Sequence, residues 1–129
     1  MEKAREILME SKDTLNQNHY GLSINRSYYA MFTAARALLA LKGLDSSKHS
    51  GVIALFNQHI VKVDLFSREF SRYLPKAKRI REDADYGDFV KITQEDAQIQ
   101  LKNAQRFVEE ARRRLQEIIR DMQKEVKEG

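Results

Sequence analysis

The sequence contains no cysteine, no tryptophan, one proline and only five glycines in 129 residues. Without cysteine the chain has no disulfide framework, no thiolate zinc site and no cysteine nucleophile. The scarcity of glycine and proline leaves few positions for tight turns, while a third of the residues are charged. This composition favours a few long helices over many short strands, and the length suits one domain with its own hydrophobic core.

We expect neither a signal peptide nor a membrane-spanning segment in this sequence. Residues 1–6 contain no apolar run typical of a signal peptide. The longest apolar stretch, residues 22–42, is interrupted by Arg26 and Arg36, which is not typical of a membrane span. We therefore expect a cytoplasmic protein without membrane contact. A formal net charge of +4 permits nucleic-acid binding without requiring it.

Residues 22–42 are the most apolar part of the chain and predict its central helix, ending at Gly43. A helix that is apolar on nearly every side is buried by neighbouring helices or by a second subunit. Because one small bundle is not expected to cover it fully, we predict a homodimer packed through the alanine-rich face of this helix. The alanines of that face are Ala30, Ala34, Ala35, Ala37 and Ala40.

Two further helices are predicted on either side of the central one. Residues 3–17 have amphipathic periodicity and good helix formers. After Gly43, a third helix containing Val52, Phe56, Ile60 and Val63 follows N-cap candidates at residues 45–47.

The second half of the chain predicts two longer helices. Apolar residues recur every four and three positions from Phe66 to Ala84, with Pro75 kinking or dividing the helix. The last helix has the strongest periodicity and runs from the N-cap Thr93 to about Lys124. Together the segments predict an all-α fold: a four- to five-helix up-and-down antiparallel bundle, with residues 1–129 forming one domain.

Arg26 is the first candidate functional residue, because an arginine in an apolar helix is costly to bury unless it is paired. Its candidate partners are the acids near the end of the fourth helix, Asp83, Asp85 and Asp88, with Tyr86 as a hydroxyl group. Two interpretations remain open. The pair is either a buried ion pair that fixes helix register or part of a binding site.

A basic stripe in the fourth helix is the second candidate. Arg68, Arg72, Lys76 and Arg79 recur at intervals of four, four and three residues, which places them on one helix face. Such a stripe could follow a phosphate backbone. The alternative is a solvated helix face, which is the usual role of a charge run.

The acids and histidines complete the list. Glu82, Asp83, Asp85 and Asp88 could hold a divalent cation, but no histidine lies near and their spacing matches no known loop. We expect them to pair with the adjacent basic residues, and we expect neither a metal nor a cofactor. His49 precedes Ser50 and Gly51 at a predicted helix N-terminus, where it could help to hold a phosphate or could serve as a surface or capping residue.

Three motifs in order resemble the signature of HEPN domains, most closely that of the small stand-alone prokaryotic proteins catalogued as UPF0332. They are residues 26–32 (RSYYAMF), residues 49–52 (HSGV) and residues 81–86 (REDADY). The resemblance covers essentially the whole chain. It implies a five-helix up-and-down bundle that is commonly dimeric. It also implies frequent pairing with a minimal nucleotidyltransferase, as toxin and antitoxin.

Many HEPN domains are metal-independent RNases whose hallmark is an arginine followed about four to six residues later by a histidine. Here the region of Arg79 and Arg81 matches the arginine, but Ala84, Asp85 and Tyr86 stand where the histidine would fall. An aspartate can accept a proton, yet it cannot supply the positive charge of an imidazolium. The departure implies a protein that is non-catalytic or weakly catalytic.

We therefore predict a HEPN protein that binds nucleotide or RNA and a minimal nucleotidyltransferase partner. The arginines would contact phosphate, Asp85 would orient an arginine and Tyr86 would supply a hydroxyl group. The candidate binding residues are Arg26, His49, Arg79, Arg81, Asp85 and Tyr86. One alternative is an RNase toxin with a composite site across the dimer interface. Another is a structural partner that neutralises an enzyme by helix packing.

Overall fold

The computed structural model describes residues 1–86 and 91–128. In chain order its helices are α1 (Glu2–Asn16), α2 (Tyr20–Leu41), α3 (His49–Phe56), α4 (Arg68–Ser71), α5 (Tyr73–Tyr86) and α6 (Gln94–Glu128). A π-helical turn, Asn57–Val61, continues α3. The described residues contain no strand, so the prediction of an all-α bundle is confirmed.

Helix α2 is the centre of the bundle and packs against α1, α3, α5 and α6. The prediction of a central helix is thus confirmed. The expected exposure of its alanine-rich face is wrong, because Ala30, Ala34 and Ala35 are 0% exposed within one chain. Their small side chains let the neighbouring helices approach α2 closely, so most of this face is covered without a second subunit.

A short connection turns α1 back onto α2, with Asn18 in the left-handed region at φ 65°. Three buried serines join the two helices. The Ser11 hydroxyl donates to the Ser23 carbonyl at 2.8 Å and lies 2.7 Å from the Ser27 hydroxyl, while Ser23 Oγ donates to the Ser11 carbonyl at 2.8 Å. The buried hydroxyl groups are therefore satisfied inside the bundle.

Two predicted helix ends are confirmed by their hydrogen bonds. Gly43 has φ 70°, its N–H donates to the Ala40 carbonyl at 3.0 Å, and the Leu44 N–H donates to the Leu39 carbonyl at 3.0 Å. This is the Schellman arrangement. At the start of α6, the Thr93 N–H donates to Asp96 Oδ2 at 3.0 Å and the Asp96 N–H donates to Thr93 Oγ1 at 3.1 Å.

The prediction for α3 is wrong at both ends. The N-cap residue is Lys48, whose side chain makes no capping bond within the described chain, rather than one of residues 45–47. Asp45 instead pairs with Arg36 of α2. Val63 lies beyond the π-helical turn and is 51% exposed, so it belongs neither to the helix nor to the core.

The predicted fourth helix is divided into α4 and α5, as Pro75 allows. Pro75 is the third residue of α5, where a backbone N–H has no intrahelical partner. A proline ring also clashes with the carbonyl four residues earlier, and α4 ends at that residue, Ser71. The single helix face predicted for the basic stripe is therefore wrong, because Arg68 lies in α4 while Lys76 and Arg79 lie in α5.

Helix α6 covers the core and extends past it. Its predicted apolar stripe is buried from Ala97 to Ala111, but Met122 is 45% exposed. The reason is length, since 35 helical residues span roughly 52 Å and the 22 residues of α2 span roughly 33 Å. Phe107 was not in the predicted stripe, yet it is fully buried against Phe56 and Phe66. Within the described ranges, no helix is long and apolar enough to cross a membrane.

Candidate phosphate-binding site

One face of α2 carries an aromatic surface towards α5 and the start of α3. Tyr28, Tyr29 and Phe32 lie on this face at the three- and four-residue spacing of a helix. Their rings contact one another, with centroids 5.1 Å apart for Tyr28 and Tyr29 and 5.8 Å apart for Tyr28 and Phe32. The face is therefore a continuous aromatic wall beside α5.

Arg81 of α5 lies against this wall. Its Cζ is 5.2 Å from the ring centroid of Tyr28 and 5.5 Å from that of Tyr29, and Nη1 lies 3.4 Å from the Tyr29 hydroxyl. Such cation–π contacts are strongest where water is excluded, and the Arg81 side chain is only 13% exposed. Its Nε is buried and has no hydrogen-bond partner among the described residues. One N–H donor of the guanidinium therefore makes no hydrogen bond within the described residues.

The carboxylates near Arg81 are distant partners. Asp85 Oδ2 lies 3.5 Å from Nη1, and Glu82 Oε1 lies 4.0 Å from Nη2. Glu82 is bound more closely by Lys78, at 2.6 Å. The hydrogen bond from Lys78 lowers the pKa of Glu82, so this carboxylate is ionised at neutral pH. A bound anion could therefore replace these two long carboxylate contacts of Arg81 at a small cost in free energy.

His49, the first residue of α3, closes the other side of the wall. Its Nδ1 lies 3.0 Å from the Tyr28 hydroxyl, and its ring centroid lies 4.3 Å from that of Phe32. Burial lowers the pKa of His49 below its ordinary value. The positive charges of Arg81, Lys78 and Arg36 lower it further, while Glu82 acts in the opposite direction. The imidazole is therefore neutral at neutral pH.

Tyr28 keeps its proton in this environment. Burial raises the pKa of its hydroxyl group above the ordinary value, although the charge of Arg81 acts in the opposite direction. The neutral hydroxyl can donate to His49 Nδ1 or accept from it, depending on the imidazole tautomer. Tyr28 therefore orients the imidazole without adding a charge.

We call six residues of this arrangement the Arg81 cluster: Tyr28, Tyr29, Phe32, His49, Lys78 and Arg81. In the described part of the chain, no three histidine or carboxylate side chains form a group that could hold a metal ion. The cluster instead combines two cations, an imidazole and an aromatic wall. A guanidinium binds phosphate through paired hydrogen bonds, and aromatic rings stack on nucleobases. The arrangement is thus suited to a nucleotide.

The structure brings three of the predicted binding residues together. His49 and Arg81 are members of the Arg81 cluster, and Asp85 lies at its edge. The Asn25 side chain donates to Asp85 Oδ2 at 3.5 Å, which joins the end of α5 to the start of α2. The roles of these residues stay predictions.

The expected pairing of Arg26 with the acids of α5 is wrong. Its Nη1 lies 3.5 Å from Glu10 of α1, and its side chain is 32% exposed rather than buried. Asn25 accepts two hydrogen bonds from the same guanidinium, at 3.0 and 2.6 Å. Arg26 still borders the Arg81 cluster, because its Cζ lies 5.4 Å from the centroid of Tyr29. Asp88, another predicted partner, lies outside the described residues.

The other predicted residues lie at the edge of the cluster or away from it. Tyr86 is 77% exposed at the end of α5 and lines an open cavity together with Arg81, Glu82 and Asp83. Arg79 is an exposed residue of the same helix. Arg72 and Lys76 are exposed as well, and Arg68 lies 3.7 Å from Asp64. The basic stripe and the Arg81 cluster are thus separate candidate surfaces.

Sequence reasoning missed four members of the cluster: Tyr28, Tyr29, Phe32 and Lys78. The aromatic residues were interpreted as core because their helix is apolar, and Tyr28 is indeed fully buried. A signal was nevertheless present. Lys78 and Arg81 are three residues apart on α5, which places two cations on one helical face. Only the packing of α5 on α2 shows that this face meets the tyrosines.

Comparison with known proteins identifies the family to which this chain is related. The sequence profile of the HEPN domain matches residues 1–115. A UPF0332 protein of Thermotoga maritima is 33% identical over 118 residues, which cover 92% of this chain and 89% of that protein. A UPF0332 protein of Gloeobacter violaceus is 36% identical over 110 residues, covering 84% of this chain and 87% of that protein.

A third relative has a name that bears on function. It is a protein of Methanocaldococcus jannaschii whose name describes it as a candidate toxin. It is 31% identical to this chain over 115 residues, which cover 89% of this chain and 78% of that protein. The HEPN match spans most of the chain, and the relatives align along most of their own lengths. The chain belongs to the HEPN domain family.

Proposed function

We propose that this protein binds the phosphate of a nucleotide or of RNA in the Arg81 cluster, and that it acts with a minimal nucleotidyltransferase as one half of a toxin–antitoxin pair. The binding proposal rests on the burial of Arg81 and on its lack of close charged partners within the described residues. Its guanidinium is held against two tyrosine rings, is 13% exposed and has a buried Nε without a partner in the described part of the chain. A phosphate oxygen would bind the guanidinium through the Nη atoms, in place of the long contacts to Asp85 and Glu82.

The surroundings of Arg81 favour an anion that arrives with an aromatic group. Lys78 and His49 supply further donors, and the carboxylate contacts of Arg81 are long enough to be replaced. The half-buried ring of Tyr29 offers a surface for a nucleobase. A phosphodiester with its base satisfies both features, whereas a free inorganic anion satisfies only one.

Binding of a fluorescein-labelled single-stranded RNA decamer, followed by anisotropy, tests this proposal. Arg81→Met keeps much of the side-chain volume and removes the charge, and we expect it to weaken binding at least tenfold. Arg120→Met, at an exposed position of α6, is the matched control and should bind like the wild type. Equal affinity for wild type and Arg81→Met would contradict the assignment of the site.

The basic stripe is the competing phosphate-binding surface. If its residues contact RNA, each one removed should lower the slope of log affinity against log salt concentration by roughly one unit. We would measure the double variant Arg72→Ala and Arg79→Ala at several salt concentrations. An unchanged slope, together with a loss in Arg81→Met, would assign binding to the Arg81 cluster alone.

The proposed partner rests on the family and on the relative named as a candidate toxin. Co-expression with a small nucleotidyltransferase encoded beside the gene tests it. We expect the two proteins to co-purify and the partner to relieve any growth inhibition caused by this chain. Co-purification from the native host, with identification of bound nucleotide, is the complementary experiment.

A second candidate function is RNA cleavage, and the position of His49 favours it. The family motif lacks its histidine here, but His49 contacts the same Tyr28 ring over which Arg81 lies. A neutral imidazole could accept the proton of a ribose 2′-hydroxyl as its oxygen bonds to phosphorus and the bond from phosphorus to the 5′ oxygen breaks. Arg81 would stabilise the charge on the phosphoryl oxygens, and the departing 5′ oxygen would take a proton from the imidazolium or from water. The site would then be completed within one chain rather than across a dimer.

Incubation of purified protein with RNA in EDTA separates the two functions. An RNase of this kind would cleave without metal and leave 2′,3′-cyclic phosphate ends, and His49→Gln would abolish cleavage. If the wild type binds RNA without cleaving it, only the binding function remains.

A further inference from the structure

The loop that leads into His49 is held at both of its ends. On the side of α2, Arg36 donates two hydrogen bonds to Asp45, at 3.1 and 2.7 Å. On the side of α3, the Lys48 N–H donates to the Ser46 hydroxyl at 3.3 Å. His49 follows at once as the first residue of α3. Its position in the Arg81 cluster therefore depends on how this loop closes.

Gly51 permits the loop to close against α3. A Cβ atom at residue 51 would lie 2.2 Å from Ser46 Oγ and 2.9 Å from Ser46 Cβ. Carbon atoms in favourable contact lie about 3.5–4.0 Å apart, so a side chain here would displace either Ser46 or the first turn of α3. Gly51 lies inside a helix, where alanine is intrinsically preferred to glycine. Close packing, rather than backbone freedom, therefore accounts for glycine at this position.

Arg36 also connects the loop to the imidazole. Its Cζ lies 5.9 Å from the centroid of Phe32, and the Phe32 ring lies 4.3 Å from the His49 ring at an interplanar angle of 32°. On its other side the imidazole meets the Tyr28 hydroxyl at 3.0 Å. The imidazole is thus held by the rings of Tyr28, Tyr29 and Phe32, by one hydrogen bond and by the backbone of a closed loop.

We propose that Gly51, by leaving room for Ser46 against the first turn of α3, and the ion pair of Arg36 and Asp45 are positioning elements that hold His49 in the Arg81 cluster. The effect on the imidazole does not depend on any ligand. The effect on nucleotide affinity rests on the proposed function. The two effects are therefore measured separately.

The first measurement is the pH titration of the His49 ring by proton NMR, with its signal assigned by its loss in His49→Gln. In the wild type we expect a pKa below the ordinary histidine value. In Gly51→Ala the pKa should move up towards that value, because the imidazole leaves its half-buried position near Arg81. The double variant Gly51→Ala with Ser46→Gly removes the side-chain atoms that the added methyl group would meet, and it should restore the wild-type titration.

The outcomes separate positioning from a general effect on the helix. If Gly51 matters only as a helical residue, Gly51→Ala should stabilise the fold and leave the His49 titration unchanged, and that result would overturn the proposal. Failure of the double variant to restore the titration would overturn it too. If neither variant folds, Asp45→Ala decides. It opens the exposed end of the loop and should shift the His49 ring-proton signals, because the imidazole would leave its contact with Phe32 at 4.3 Å. Unchanged ring-proton signals would reject the proposal.

The second measurement is binding of the labelled RNA decamer. We expect Gly51→Ala to weaken binding about tenfold, corresponding to the loss of one charge-assisted contact, and the double variant to recover it. If the His49 titration responds as expected while the wild type binds no RNA, the proposed function fails and the positioning role stands. If RNA binds and the titration does not respond, the positioning role fails alone.

Discussion

At the scale of single residues, the arginines of this protein differ in how much of their charge is already compensated. Arg36 has a short bidentate partner in Asp45, and Arg26 has Asn25 and Glu10. Within the described chain Arg81 has only the long contacts to Asp85 and Glu82, although its side chain is the least exposed of the three. Because a buried, under-compensated charge is costly, Arg81 is the residue that gains most from a bound anion.

The exposure of Arg26 leads to a stability prediction. Its contact with Glu10 is 3.5 Å long and the two side chains are 32% and 55% exposed. Ion pairs of this kind contribute less than about 1 kcal/mol, whereas breaking a buried pair would cost about 3–5 kcal/mol. We expect Arg26→Ala to lower the free energy of unfolding by no more than about 1 kcal/mol in urea denaturation. A loss of about 3 kcal/mol or more, the cost of stranding a buried charge, would show that Arg26 is a structural ion-pair residue.

The His49 environment leads to a pH prediction. Burial and the charges of Arg81, Lys78 and Arg36 lower the pKa of His49 in the folded state. The unfolded chain therefore binds a proton that the folded chain does not, once the pH falls below the ordinary histidine pKa of about 6.5. This contribution to stability is present above pH 6.5 and is lost as the pH falls through the lowered folded pKa.

Urea denaturation at pH 7.5 and pH 5.5 measures this effect. The wild type should lose more stability between the two values than His49→Gln, because glutamine has no proton to gain. Equal losses in both proteins would mean that the His49 pKa is the same in the folded and unfolded chains. His19→Gln is the control, since His19 is exposed outside the cluster.

At the scale of elements, helix ends were predicted well where one residue decides the geometry. Gly43 supplies the left-handed conformation that terminates α2, and Thr93 and Asp96 exchange hydrogen bonds at the start of α6. The start of α3 was predicted wrongly because two of the good N-cap types, Asp45 and Ser46, have side chains that are engaged elsewhere. Asp45 pairs across the bundle with Arg36, and that contact is invisible to local reasoning.

The capping contacts of α6 give the element-scale prediction. Thr93→Ala removes the hydroxyl that accepts from the Asp96 N–H, and capping substitutions of this kind cost about 1 kcal/mol. We expect a loss of this size in the free energy of unfolding, whereas Thr93→Ser should be nearly neutral. If alanine and serine behave alike, the reciprocal contact between residues 93 and 96 contributes nothing to stability.

At the scale of the whole molecule, the bundle covers its own central helix more completely than expected. The homodimer stays a prediction, but most of the alanine-rich face of α2 can no longer be its interface. The exposed apolar residues of the described chain include Ile119, Met122 and Val126 on the part of α6 that runs past the core. A dimer would be expected to cover this end of α6 instead.

Multi-angle light scattering at tens of micromolar tests the dimer. If the exposed end of α6 forms the contact, Met122→Glu with Val126→Lys should convert a dimer to a monomer without loss of helicity. A monomeric wild type would remove the dimer prediction, and a dimeric double variant would move the interface elsewhere.

The sequence by itself determined the helical class, the number and order of the long helices and several of their ends. These properties depend on period, composition and local capping, which act over a few residues. His49 and Arg81 were also predicted from sequence, but as separate candidates 32 positions apart.

Only the tertiary structure decided which side chains meet. Tyr28 and Tyr29 belong to an apolar helix and were interpreted from sequence as core residues. The antiparallel packing of α5 on α2 makes them part of the aromatic wall against which Arg81 lies. Arg26 was expected to pair with Asp85, yet the rotation of α2 about its axis directs it to Glu10 of α1. A helical period places residues on a face, but the direction of that face depends on how all the helices fill the core together.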